Sequence, residues 1–148
     1  MNMGIDVSKE TLDVYTSFDN KNRVYKNTND GFKKIQKLFD SFDVVNCVLE
    51  PSGGYESLLF KSLLKSDKPV LRCNPVRAYR FKQALGYSAK TDKIDSFYLC
   101  QYAKVLKPDR NYVPTDIEYL LSEYCRRLRQ MAENKSREKT PLEKLLII

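Results

Sequence analysis

The run Val44–Glu50, VVNCVLE, restricts the fold of this chain more than any other stretch. It is nearly continuously apolar over the length of a strand, a pattern that suits the buried middle of a sheet rather than a strand with one wet face. The sequence before it supplies neighbours. MGIDVS reads as a short apolar strand, and TLDVYTSF alternates, with Leu12, Val14 and Tyr15 toward the core. FDNKN is rich in turn formers and RVYKNT follows as a third strand, which together predict an antiparallel meander. Asn29 or Asp30 is placed to cap a helix whose apolar stripe is Phe32, Ile35, Phe39 and Phe42, recurring at three and four residues.

After the central run, PSGG makes a turn, and Leu58, Leu59, Leu63 and Leu64 mark a second helix. KPVLRCN predicts a fifth strand, and PVRAYRFKQAL a basic helix stopped by Gly86. Thr91 can cap a helix from about Asp92 to Leu106, and KPDRNYVPTD, with two prolines, closes the unit. The expectation is an α/β domain over residues 1–107, with a mixed sheet flanked by helices, followed by a long C-terminal helix in residues 108–148. In that second segment Ile117, Leu121, Tyr124, Leu128 and Met131 repeat at four, three, four and three residues. This is a heptad seam and predicts dimerisation, to a homodimer or a higher homo-oligomer; two heptads are short for a coiled coil, and a helix packed on its own domain is the rival reading.

The chain contains no histidine, and its four cysteines, Cys47, Cys73, Cys100 and Cys125, form no C-x-x-C pair. A histidine base, a Ser-His-Asp triad and structural zinc are therefore set aside, and the thiols are expected to be reduced and buried. A metal in this chain would be held by oxygen, which selects hard ions such as Mg²⁺ or Mn²⁺. No apolar run approaches the ~20 residues of a membrane span, and the N-terminus lacks the pattern of a secretion signal, so a cytoplasmic protein is expected. The net charge of +7 and pI of about 9.2 favour an anionic partner, nucleic acid first.

Four carboxylates stand at informative places. Asp6 lies in the first strand, Glu50 ends the central run, and Asp92 and Asp95 begin a helix three residues apart, which puts them on one helical face. If the first and fourth strands are neighbours, Asp6 and Glu50 converge. Two carboxylates about 4 Å apart repel by roughly 4 kcal/mol at an effective dielectric near 20, a repulsion that a divalent ion converts into coordination. The surrounding cations, Arg72, Arg77, Arg80, Lys82, Lys90 and Lys93, are placed to hold phosphates. Tyr79 and Phe81 interleave with them, as stacking groups or as core. Asp13, Asp30, Asp40, Asp43, Glu56 and Asp67 are read as residues of exposed faces or turns.

Three blocks carry a resemblance: GIDVSKETLDV at Gly4–Val14, LEPSGGYE at Leu49–Glu56, and NPVRAYRFKQALGYSAKTDKIDS at Asn74–Ser96. In this order they resemble the DEDD-type insertion-sequence transposases, a group that includes the Piv DNA invertase and the bridge-RNA-guided recombinases. The resemblance implies a RuvC-like, ribonuclease H-like domain in which Asp6, Glu50, Asp92 and Asp95 bind Mg²⁺ and support cleavage and strand exchange of insertion-element DNA. It also implies a coiled-coil dimerisation region, to which residues 119–139 are similar, and, in some members, a guide RNA. The family's serine-bearing C-terminal domain has no counterpart here, so the chain is expected to be an N-terminal fragment. Ser52, Ser88 and Ser96 are not candidates for that nucleophile. A non-catalytic module that binds nucleic acid by charge and dimerises is the alternative. An actin-like kinase would require a glycine-rich phosphate loop after the first strand, where DVSKET stands.

Overall fold

The computed structural model describes residues 1–86, 92–106 and 116–145, with the side chains of 92–94, 106, 116, 119 and 138–145 outside the description. Strands β1 (Asn2–Val7), β2 (Thr11–Thr16) and β3 (Lys21–Lys26) form the meander. Helix α1 (Asn29–Phe42) leads to β4 (Asn46–Leu49), α2 (Ser57–Lys65) to β5 (Val70–Arg72), and α3 (Pro75–Ala84) and α4 (Asp92–Leu106) follow. The sheet order is β3-β2-β1-β4-β5. β1 pairs antiparallel with β2 and parallel with β4, and β4 is parallel to β5. This is the mixed, ribonuclease H-like arrangement, with β4 in the interior as its composition requires.

Both faces of β4 are covered. Met3, Ile5, Val7, Leu12, Val14, Cys47 and Leu49 join Phe32, Ile35 and Phe39 of α1 and Leu59, Phe60 and Leu63 of α2 in one core cluster. Val48, one residue out of phase, joins Cys73, Ala78, Leu99, Tyr102 and Ala103 in a second. The period of two along a strand thus sorts α1 and α2 to one face and α3 and α4 to the other.

Helix α4 reaches the sheet at Gly4. A Cβ there would stand 2.1 Å from the Ser96 carbonyl oxygen and 2.3 Å from the Cys100 amide nitrogen. Glycine is required at this point for close approach, and the backbone of α4 lies directly on β1. Asn22 of β3 donates to the Ser96 hydroxyl at 2.7 Å, and the Cys100 thiol donates to the Asn2 carbonyl at 3.3 Å, which fixes the helix across three strands.

Several sequence expectations are corrected. The cap of α1 is Thr28, extended in backbone, whose hydroxyl oxygen accepts from the Gly31 amide, in place of Asn29 or Asp30. Leu58 faces solvent, and the buried stripe of α2 is Leu59, Phe60 and Leu63. Tyr15 meets Phe97 of α4 edge to face at 5.1 Å, on the opposite face from Leu12 and Val14. Val45 is exposed, so the strand begins only at Asn46. Cys47, Cys73 and Cys100 are buried free thiols, whereas Cys125 is exposed.

The chain divides into two compact units, Met1–Asn111 and Tyr112–Ile148. The second contains α5 (Asp116–Leu145), 30 residues long, on which Ile117, Leu121, Tyr124, Leu128 and Met131 are all exposed. Among the described residues no helix is long and apolar enough to cross a membrane.

Candidate active site

The parallel register of β1 and β4 sets Ile5 beside Leu49. The next residues therefore stand side by side near the carboxyl ends of adjacent strands, Asp6 still within β1 and Glu50 immediately after β4. Alternation from Gly4 and Val48 turns both toward the face that carries α3 and α4. Asp95 arrives on that face from the start of α4, one residue before the Ser96 carbonyl that touches Gly4. Glu50 and Asp95 line one cavity of about 700 Å³, shared with Tyr79, Lys82 and Gln83 of α3 and Tyr98 and Tyr102 of α4. The Asp92 side chain lies outside the described residues; its backbone opens α4, one turn before Asp95. The side chains of Lys90 and Lys93 lie outside them too.

The loop after Glu50 is held from within. Glu56 is 2% exposed and its Oε2 accepts from the amides of Ser52 at 3.1 Å and Gly54 at 3.0 Å. Its other oxygen stands 3.5 Å from Nη1 of Arg72, whose guanidinium lies 4.4 Å from the Phe60 ring centroid. Gly53 and Gly54 have φ of 67° and 103°, conformations that L side chains rarely adopt, so both glycines of PSGG serve the turn. Glu56, expected in an exposed face or turn, does stand in the turn before α2 but is buried there, where it anchors the loop.

Asp13 is corrected in the same way. It is 7% exposed and pairs directly across from Asp6 in the antiparallel ladder, where opposed side chains share a face with Cβ atoms about 4.5–5.5 Å apart. Counting outward from the Lys9–Glu10 turn, with Ser8 opposite Thr11, gives this pair from the sequence. Asp43 and Asp67 do occupy turns, both with left-handed backbone.

The cations divide into two groups. Arg77 and Arg80 are exposed on α3, which starts at Pro75 with Asn74 accepting from the amides of Val76 and Arg77. Lys82 turns inward: it forms an ion pair with Asp95 and sits 5.5 Å from the Tyr98 ring centroid. The aromatic pair divides likewise. Tyr79 is exposed, while Phe81 packs against the second core cluster and meets Tyr102 edge to face. Burial, followed by the negative charge of Glu50, pushes the Cys73 thiol up to about 12, so this cysteine is neutral beside the carboxylate.

Among the described residues, no three His, Cys, Asp or Glu side chains are close enough together to hold a metal ion. The donor chemistry still suits a hard cation. The groups gathered are carboxylates, and Mg²⁺ commonly binds through one or two of them, completing its shell with water and phosphate oxygens. Lys82 already places a positive charge against Asp95.

The family model described as "Transposase", that of the DEDD transposases of the IS110 group, matches residues 3–147. Among solved structures, one described as a Thermus thermophilus RuvC structure is similar at 12% identity and a TM-score of 0.39, covering 84% of this chain and 94% of that one. A search of curated proteins returns no match.

Proposed function

The chain belongs to the DEDD transposase family, and from that premise we propose that residues 1–107 act as its metal-dependent phosphodiester-cleaving domain. Asp6, Glu50, Asp92 and Asp95 would hold Mg²⁺ or Mn²⁺, and DNA of an insertion element would be the substrate of cleavage and strand exchange. The observation that supports this reading is the convergence of Glu50 and Asp95, from two different elements, on one cavity beside the strand end where Asp6 emerges.

Each residue has a task that its position fits. Asp6 lies within paired β1 and Glu50 directly follows paired β4, which gives them little freedom to drift. Asp95 is carried by a helix locked to β1 through Gly4, and Glu56 keeps the loop after Glu50 in place. When bound, a divalent ion supplies neutralising charge at the scissile phosphate and a water of lowered pKa. Arg77 and Arg80, exposed on α3, hold the backbone phosphates that flank it. Arg72 and Lys82, committed to Glu56 and Asp95, act on the site through those carboxylates. The seam of α5 joins two copies of the chain.

A nuclease assay on branched and single-stranded DNA tests the proposal. Cleavage that requires Mg²⁺ or Mn²⁺ and disappears in Glu50→Gln is the expected result, together with Mn²⁺ binding lost in Asp6→Ala. Metal-independent DNA binding with no cleavage by the wild type would support the alternative, a nucleic-acid-binding and dimerisation fragment. Light scattering tests the seam: a dimer that dissociates in Leu121→Asp is expected, and a monomer at every concentration would remove dimerisation.

A further inference from the structure

The cavity that holds Glu50 and Asp95 is larger and more aromatic than the binding of an ion requires. Four rings line it: Tyr79, Phe81, Tyr98 and Tyr102. Phe81 and Tyr102 meet at 5.5 Å and 86° and belong to the second core cluster, so they form an inner wall. Tyr79 stands at the rim, 61% exposed, with its hydroxyl accepting from Nε2 of Gln83 at 3.1 Å. A volume of about 700 Å³ falls within the ~300–1,000 Å³ of pockets that enclose organic ligands.

The charges of the lining narrow the occupant. Two carboxylates, Glu50 and Asp95, face one ammonium, Lys82, which is already paired with Asp95. Without the divalent ion a phosphate would meet a lining formally negative by one charge, so phosphate belongs at the ion and the aromatic remainder of the cavity is left for another group. A neutral, planar group with an open π-face and a hydrogen-bonding edge meets rings suited to stacking and the amide of Gln83. A nucleobase has that chemistry, and the carboxylates at the same cavity place it next to the phosphodiester they would act on.

We propose that the cavity between α3 and α4 receives one unpaired nucleobase, displaced from the strand at the reacting phosphate, with Tyr79 as its stacking platform. The proposal rests on the nuclease reading above and deepens it by naming the form of the substrate. DNA that is single-stranded, branched or mismatched at the reacting position is preferred over intact duplex, because displacing a base there requires less unpairing. Little base preference is expected, since every base offers a π-face.

The test uses the full chain, with Ca²⁺ in place of Mg²⁺ so that the DNA stays intact. Single-stranded and branched oligonucleotides carry 5-iodouracil at successive positions, and photo-crosslinks are mapped by mass spectrometry. Affinities of wild type, Tyr79→Ala and Tyr79→Phe are measured by anisotropy. The expected result is a crosslink on Tyr79, Tyr98 or Tyr102, with affinity about fivefold to 150-fold weaker in Tyr79→Ala, the range for one lost base–aromatic stack. Tyr79→Phe, which keeps the ring, should stay within about twofold of wild type. DNA binding with crosslinks only elsewhere and an unchanged Tyr79→Ala affinity overturns the base pocket and leaves the nuclease reading standing. No DNA binding by the wild type overturns both.

Discussion

Replacing Gly4 by alanine adds a single methyl group at the point where the site is assembled. That carbon would lie 2.1 Å from the Ser96 carbonyl oxygen, 2.3 Å from the Cys100 amide nitrogen and 2.9 Å from the Leu99 carbonyl carbon, against 3.4–4 Å for ordinary contact. All three atoms are backbone, so no rotamer change can relieve the clash. Either α4 retreats from β1 by roughly 1 Å or the strand bends, and overpacking of this kind costs about 1–3 kcal/mol. For a unit of this size, 2 kcal/mol lowers Tm by roughly 8–16 °C. The same retreat moves Asp95 relative to Glu50, and a misplacement of ~1 Å can reduce a reaction rate about 100-fold. Urea melts and metal-dependent cleavage measured in parallel should both register the change, with cleavage reduced even at temperatures where the variant is fully folded. A Gly4→Ala protein with wild-type stability and cleavage would refute the claim that direct backbone contact of α4 with β1 sets the position of the carboxylates.

Three further outcomes follow from the contacts around the site. Glu56→Ala should destabilise the chain by about 2–4 kcal/mol in urea melts, because two amides lose a charged acceptor and Arg72 loses its partner; a loss below about 0.5 kcal/mol, as at an ordinary surface site, would show the loop is not anchored there. Lys82→Met, which frees Asp95 from its ammonium partner, should tighten Mn²⁺ binding by about tenfold at most, and calorimetry showing weaker binding would contradict the competition between lysine and metal. At pH 8 a disulfide exchange reagent should modify Cys125 quickly and leave the three buried thiols unreacted in native protein. Burial holds Cys73 up to about 12 and Cys100 up to about 11, above the ~8.5 of a thiol in the unfolded chain. Their contribution to stability is therefore complete below pH ~8.5 and declines as pH rises toward those values; more than one fast-reacting thiol per native chain would be inconsistent with this.

The sheet was legible because its period is local. VVNCVLE announced an interior strand, and the alternation of TLDVYTSF placed Leu12 and Val14 correctly from the sequence alone. Helix positions were legible for the same reason, and errors arose where a neighbouring group decided the outcome. Thr28 displaced Asn29 as the α1 cap because its extended backbone presents the hydroxyl to the Gly31 amide, a choice composition does not distinguish. Leu58 was assigned inward with the other leucines, yet four leucines in two adjacent pairs cannot all share one helical face, and only packing shows that Leu58 turns away.

The site was legible to a different depth. That Glu50 follows a buried strand and that Asp92 and Asp95 are spaced to share a helix face could be read from the sequence, but the approach of α4 that lets Asp95 line one cavity with Glu50 depends on Gly4. In the sequence Gly4 is a strand residue with no side chain. In the fold its missing methyl group is what lets α4 lie against β1. Glu56 shows the converse: a carboxylate six residues beyond Glu50, in a segment rich in glycine and serine, has every local mark of an exposed turn. Its burial follows from Gly53 and Gly54, whose positive φ values fold the loop back so that two amides converge on one carboxylate oxygen. Arg72, at the end of β5 beyond α2, then supplies the opposite charge. A charge counted from the sequence as available to DNA is thereby spent inside the protein, as is that of Lys82. The electropositive surface that can meet a phosphate backbone from α3 is consequently narrower than the sequence implies and centres on Arg77 and Arg80, at the outer side of the helix that also carries Tyr79 to the cavity rim.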